Sequence, residues 1–119
     1  MAVRREQVTQ DMLPPMPSVV RYLLDELGER LTAVIAGVRD AEVLRGWVDG
    51  DGALDAATAE RLRAAFEVTQ LLRQRSSSEL VRLWFRGMNT ELDDEAPALQ
   101  IAKDPVGVRD AARFFLAHG

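Results

Sequence analysis

The stretch of sequence that decides the fold is residues 38–50, Val-Arg-Asp-Ala-Glu-Val-Leu-Arg-Gly-Trp-Val-Asp-Gly. Its apolar residues recur at helical spacing: Val43, Leu44, Trp47 and Val48. This spacing predicts a short helix over residues 39–49 with one apolar side. The run at 49–52, Asp-Gly-Asp-Gly, ends that helix, because glycine accepts the positive φ angles of turns.

Two apolar stripes at helical spacing precede this helix. The first carries five residues behind Ser18, a candidate N-cap: Val20, Leu23, Leu24, Leu27 and Leu31. Gly28 interrupts the pattern and divides it into two helices. The second helix has its own stripe: Leu31, Val34, Ile35 and Val38. Gly37 is well placed to end it.

The first 17 residues read as a flexible N-terminal arm. Pro14, Pro15 and Pro17 oppose regular structure and favour an extended backbone. The arm is either a disordered lead-in or a segment that reaches a partner or the DNA backbone through Arg4 and Arg5.

Downstream, Asp55 is a candidate N-cap for a long helix over residues 56–75. The apolar stripe of that helix has spacings of three and four: Leu62, Ala65, Phe66, Thr69 and Leu72. Ser76 and Glu79 have the spacing of a capping box and predict a fifth helix, which runs to about Arg86. The predicted apolar side of this helix holds Leu80, Val81, Trp84 and Phe85.

The last third of the chain continues the helical pattern. Residues 87–96 form a polar loop, and Pro97 suits the first turn of a short helix to Lys103. A last helix starts at Pro105 and carries an apolar stripe: Val108, Ala112, Phe115 and Leu116. No stretch alternates apolar and polar residues as a strand does. The sequence therefore predicts an all-α fold, a compact bundle of six or seven short helices.

Three regions follow from this pattern. They are a flexible arm at 1–17, a helix-turn-helix-like helical region at 18–75, and a C-terminal helical module at 76–119.

The composition is that of one compact domain, with 119 residues, 47% of them hydrophobic, and no cysteine. No apolar run is long enough to span a bilayer, and no apolar segment follows the N-terminal arginines as in a secretory signal. We therefore expect a cytoplasmic protein with no membrane partner. The net charge of −4 does not favour nucleic-acid binding in bulk.

The chain offers little material for an enzyme site. His118 is its one histidine, and no His or Cys cluster could hold zinc. The acidic run 93–95 lacks the ligand spacing of a calcium loop, and serines 76–78 have no nearby base and read as caps. We expect no catalytic residue, no metal and no cofactor. A small enzyme remains a third alternative, and a cofactor bound to the purified protein would support it.

Recognition of another macromolecule is the remaining class of function. Residues Leu31–Gly37 and 39–49 have the lengths of the scaffold and recognition helices of a helix-turn-helix. Arg39 and Arg45 are then the candidates for contacts with guanine edges or phosphates. Residues 28–75 hold seven arginines against eight acids, so this surface has no basic stripe to neutralise phosphates.

Two aromatic pairs in the C-terminal region suggest a protein interface. Trp84 is adjacent to Phe85, and Phe114 to Phe115, and one side of a helix cannot bury both members of a pair equally. The helical stripes predict Trp84 and Phe115 in the core. Phe85 and Phe114 are left for a homodimer or heteromer contact.

These motifs resemble the Xre/MbcA/ParS type of antitoxin. The C-terminal resemblance rests on Trp84-Phe85, Asn89, Leu92, Pro97 and Leu99, followed by two helices. The upstream helices resemble an Xre-like helix-turn-helix in a second set of residues: Val38, Arg39, Leu44, Trp47 and Gly50. The resemblance covers about residues 25–119. It departs at Met88, where the family often has proline, and at Asp93-Asp94, where a glycine is common.

The resemblance implies an antitoxin of a type II toxin–antitoxin system. Its partner would be a RES-domain toxin that degrades NAD, neutralised by direct binding and occlusion of the active site. NAD would be the toxin's substrate and not a cofactor of this chain. The implied toxin-binding residues are Phe85, Asn89, Phe114, Ala117, His118 and Gly119. It also implies a homodimer and, in some members, repression of the protein's own operon through operator DNA. The alternative is a stand-alone helix-turn-helix transcriptional regulator that acts through Arg39 and Arg45.

Overall fold

The computed structural model describes residues 14–118 of the chain. This part contains seven α-helices and one 3-10 turn. The helices are α1 (Met16–Leu27), α2 (Glu29–Ala36), α3 (Ala41–Val48), α4 (Ala56–Leu72), α5 (Ser78–Arg86), α6 (Pro97–Gln100) and α7 (Pro105–His118), and the 3-10 turn is Thr90–Leu92. No strand occurs in this range. The prediction of an all-α bundle of six or seven short helices is confirmed.

Several helix ends lie where the sequence places them. The Asp55 carboxylate accepts a hydrogen bond from the Thr58 backbone N–H at 2.8 Å and caps α4. Gly28 separates α1 from α2 with φ of 88°, and Gly37 ends α2 in the left-handed conformation with φ of 76°. Pro97 and Pro105 begin α6 and α7, as predicted, because a first-turn N–H has no partner inside its helix.

Two predicted helix starts are wrong, that of α1 by three residues and that of α5 by one. Helix α1 begins at Met16 rather than after Ser18, because Pro17 is accommodated in a first turn that needs no N–H donor. Ser77 rather than Ser76 caps α5, and its hydroxyl accepts from the Leu80 N–H at 3.2 Å. Residues 1–13 of the predicted arm, which include Arg4 and Arg5, lie outside the described residues.

One hydrophobic core joins the predicted helix-turn-helix region to the C-terminal module. Helix α1 lies at its centre and packs against α2, α3, α4 and α5, while α7 packs along α4. Fully buried side chains come from both regions, including Leu23, Leu62, Phe85, Ile101 and Val108. The short helix α6 closes the bundle against α2, α5 and α7.

Glu26 ties three helices together at one edge of this core. Its carboxylate accepts hydrogen bonds from the Ser78 hydroxyl at 2.6 Å and the Arg73 Nε at 2.8 Å. The Arg82 Nε donates to the Glu26 backbone carbonyl at 2.8 Å. The hydrogen bond from Ser78, followed by that from Arg73, lowers the pKa of Glu26. These contacts fix the side of α5 that faces α1.

Within residues 14–118, no helix combines the length and the hydrophobicity needed to cross a bilayer.

Candidate protein-interaction site

A groove lies between the end of α5, the loop after it, and the outer face of α7. Its volume is about 380 Å³. We call it the aromatic groove and define it by the residues that line it: Trp84, Met88, Asn89, Thr90, Glu91, Ala111, Phe114, Phe115 and His118. The sequence separates α5 from α7 by 18 residues, and the fold of the loop at 87–96 brings their side chains together.

Asn89 builds the loop that forms one wall of the groove. Its side-chain oxygen accepts from the Glu91 N–H at 2.9 Å and caps the 3-10 turn. Its backbone carbonyl accepts from Leu92 and Asp94, both at 2.9 Å, and its N–H donates to the Glu95 carbonyl at 3.2 Å. An asparagine here therefore closes the loop through both its side chain and its backbone.

The aromatic rings of the groove are held by one another and by the core. Trp84 meets the buried Phe85 edge to face, with ring centroids 5.3 Å apart. Its indole Nε1 is buried and has no hydrogen-bond acceptor within the described range. The His118 ring stacks on Phe114 at 4.1 Å, and its Nδ1 lies 3.0 Å from the Phe114 carbonyl oxygen. A carbonyl oxygen accepts only, so Nδ1 carries the hydrogen in this contact.

The structure brings together three of the residues predicted to bind a toxin. Asn89, Phe114 and His118 all line the aromatic groove. Ala117, next to His118, is exposed. Gly119 lies outside the described residues.

The prediction that Phe85 belongs to an exposed interface is wrong. Phe85 is fully buried, and Trp84, predicted in the core, is only half-buried. The reason is the orientation of α5: the contacts of Ser78 and Arg82 with Glu26 turn the face of 78, 81, 82 and 85 towards α1. In the second pair, Phe115 is 40% exposed and Phe114 is half-buried. The prediction that Phe115 lies in the core is therefore wrong.

Sequence reasoning missed the exposed apolar stripe that leads into the groove. Leu80 and Leu83 are 55% and 59% exposed on α5, and Met88, just past its end, is 83% exposed. Leu80, Leu83 and Trp84 are three and four residues apart and share one face of the helix. The spacing was visible in the sequence, but the helix has apolar residues on two faces and the pattern does not say which one is buried.

The second predicted surface, for DNA, lies on α2 and α3. Residues 37–40 join these helices, and Arg61 donates to the Ile35 and Ala36 carbonyls at 3.2 and 2.8 Å, which holds the end of α2. The Asp40 carboxylate accepts from the Glu42 N–H at 2.9 Å and caps α3. Asp40 therefore stabilises the start of α3, in addition to carrying a negative charge.

The two arginines predicted to contact DNA differ in their surroundings. Arg39 is exposed, with no carboxylate at ion-pair distance in the described part of the chain. Arg45 forms an ion pair with Glu29 and another with Glu42 at 2.9 Å. The hydrogen bond with Glu29 raises the pKa of Arg45, and the nearby charges of Glu29 and Glu42 act in the same direction. Arg45 would have to exchange these partners for a phosphate.

No group of three or more His, Cys, Asp or Glu side chains that could hold a metal ion occurs within residues 14–118.

A scan against protein-family models, a search of curated proteins and a search of solved structures each found no match to this chain.

Proposed function

We propose that this chain is a protein-binding antitoxin that neutralises a RES-domain toxin through its C-terminal region. The observation that carries the proposal is the distribution of exposed apolar side chains. Four of the eight large hydrophobic residues that are exposed within the described range lie in the aromatic groove or on the face of α5 that leads into it: Leu80, Leu83, Met88 and Phe115. Exposed apolar side chains gathered in one region are typical of protein–protein interaction sites.

The aromatic groove gives this region a defined docking point. Trp84, Met88 and Phe115 give the groove an apolar lining that is accessible to solvent. Aromatic and methionine side chains are enriched at the centres of interfaces. Polar groups of Asn89 and Glu91 stand at its margin. An apolar side chain of the partner, inserted here and surrounded by polar contacts, would match the usual anatomy of an interaction hot spot.

The position of the groove suits occlusion of an active site. His118 lines the groove in the last turn of α7. A toxin bound over the groove would therefore meet the last residues of α7 at the same time. In this proposal NAD is consumed only by the toxin, and the antitoxin contributes surface rather than chemistry.

Co-purification from the native operon tests the proposal. The chain carries an N-terminal tag, and mass spectrometry identifies what elutes with it in stoichiometric amount. We expect a RES-domain toxin, whose degradation of NAD the added antitoxin suppresses. Elution of the chain without any operon product contradicts the proposal.

A pair of matched variants locates the binding surface. Met88→Asp places a charge in the aromatic groove, at a side chain 83% exposed, so it weakens binding without unfolding the chain. Val106→Asp is the control, because Val106 is 62% exposed in the first turn of α7, outside the groove, where an acid favours the helix. Equal affinity of the two variants for the toxin would exclude the groove.

The alternative is a DNA-binding regulator. It is favoured by the two short helices α2 and α3 joined by four residues, and by the exposed guanidinium of Arg39, which forms no ion pair with any residue in 14–118. The carboxylates that engage Arg45 weigh against it. An electrophoretic shift with the upstream DNA of the operon, abolished by Arg45→Ala or Arg39→Ala, would favour the regulator over the antitoxin.

A further inference from the structure

A second groove, of about 530 Å³, lies on another face of the molecule, between the start of α2 and α6. One wall is formed by Leu27, Leu31 and Val34, and the other by Ala98 and Leu99. Val34 is 44% exposed and Leu99 58% exposed, so the middle of the groove presents apolar surface to solvent. We call it the α2–α6 groove.

Positive charge marks the rim of the α2–α6 groove. Arg30 and Arg86 both line it, and both are exposed. Within residues 14–118, neither has a carboxylate at ion-pair distance. The nearby Glu29 does not neutralise them, because its carboxylate is engaged by Arg45. An occupant of this groove would therefore combine an apolar side chain with flanking negative charge.

The chain itself carries such a segment directly beside the groove. Asp93, Asp94 and Glu95 are exposed and form no ion pair with any described residue. They immediately precede Ala96, which lines the groove. The groove and the acidic run that precedes Ala96 together supply an apolar centre, two arginines and three acids. In a contact related by a two-fold axis, each patch meets its own copy, so both charge pairings form at once.

We propose that the α2–α6 groove is the contact between two copies of this chain. Leu99 and Val34 pack at the centre, and the arginines at the rim of each copy face the acidic run 93–95 of the other. This surface differs from the phenylalanine contact expected from the sequence, and it leaves the aromatic groove free. The inference does not rest on the antitoxin proposal, because it concerns the chain alone.

Sedimentation velocity over a range of protein concentrations tests the contact. We expect the purified chain to form a dimer whose dissociation constant rises with salt, because the rim charges are screened. Leu99→Asp should raise the dissociation constant roughly tenfold or more. Val106→Asp, an exposed apolar residue outside the groove, is the control and should leave it unchanged. A wild-type chain that is monomeric at all concentrations overturns the proposal.

Charge reversal tests the pairing itself. Arg86→Glu and Glu95→Arg each place like charges opposite one another and should weaken the dimer. The double variant restores opposite charges across the two-fold axis and should recover it. Thermal unfolding checks that every variant is folded. A dimer that tolerates both single reversals, or a double variant as weak as the singles, overturns the contact even if the aromatic groove proves to bind a toxin.

Discussion

At the residue scale, the two phenylalanines Phe85 and Phe115 have opposite energetic roles. Phe85→Ala should lower the free energy of unfolding by about 3–5 kcal/mol, because the side chain is fully buried and leaves a cavity. Phe115→Ala should cost about 1 kcal/mol or less, because 40% of the residue is already exposed. Urea denaturation of both variants measures the difference. Similar losses would contradict the assigned burial.

The carboxylate of Glu26 should make stability depend on pH. Hydrogen bonds from Ser78 and Arg73 lower its pKa in the folded state, so the folded chain favours the ionised form. The contribution of Glu26 to the free energy of unfolding is fully present above about pH 4.3, the pKa of a glutamate in the unfolded chain. It is lost as the pH falls through the lower pKa that Glu26 has in the folded chain.

Glu26→Gln removes that dependence. The difference in unfolding free energy between the wild type and this variant should be constant near neutral pH and shrink below about pH 4. Urea titrations at several pH values measure it. Glu60→Gln is the matched control, since Glu60 is exposed on α4 with no ion pair to any described residue. A difference that stays constant to low pH would contradict the role of Glu26.

At the scale of the elements, the sequence predicts where helices begin better than it predicts which face of a helix is buried. The Asp55 cap and the Pro97 and Pro105 starts depend on local hydrogen bonding, which the sequence encodes within a few residues. The choice between Trp84 and Phe85 depends on contacts of α5 with Glu26, more than 50 residues away. Local periodicity holds no information about such a contact, so the site residues on α5 could not be assigned correctly.

The loop between α5 and α6 contains a backbone feature that composition alone does not reveal. Asp93 and Asp94 have φ of 56° and 66°, in the left-handed region that strains most side chains. Aspartate tolerates this region better than β-branched residues do. Neither left-handed position is a glycine, and the Asp94 N–H closes the turn by donating to the Asn89 carbonyl at 2.9 Å.

Substitutions at Asp93 should follow this backbone preference. Asp93→Gly should be more stable than Asp93→Val by about 1–2 kcal/mol, because valine is forced into the left-handed conformation and glycine is not. The side chain is exposed, so a packing difference contributes little. Thermal unfolding of the two variants gives the comparison. Equal stability would show that the loop does not hold this conformation in solution.

At the scale of the whole molecule, the two predicted helical regions share one core. Helix α7 packs along α4, and α5 packs against α1, so each region covers apolar surface of the other. Removal of either would expose fully buried side chains such as Leu62 and Val108. The aromatic groove and the α2–α6 groove therefore lie on helices that share one core, on either side of the loop at 87–96.

A shared core predicts one cooperative unfolding transition, and the two tryptophans can report it separately. Trp47 is buried on α3 in the first region, and Trp84 lies on α5 in the second. In Trp47→Phe the remaining fluorescence reports the C-terminal module, and in Trp84→Phe it reports the helix-turn-helix-like region. Trp84→Phe should be well tolerated, because it also removes a buried N–H donor that has no acceptor in the described range.

In each single-tryptophan variant, the fluorescence midpoint in urea should coincide with the midpoint of far-UV circular dichroism. Coincident probes are the signature of an all-or-none transition, and comparison within one variant cancels the effect of the substitution on stability. A fluorescence change in Trp47→Phe that precedes the loss of helix would mean that α5 and α7 leave the core first. The C-terminal region would then be a separately stable module, and the aromatic groove would depend on its local stability rather than on that of the whole bundle.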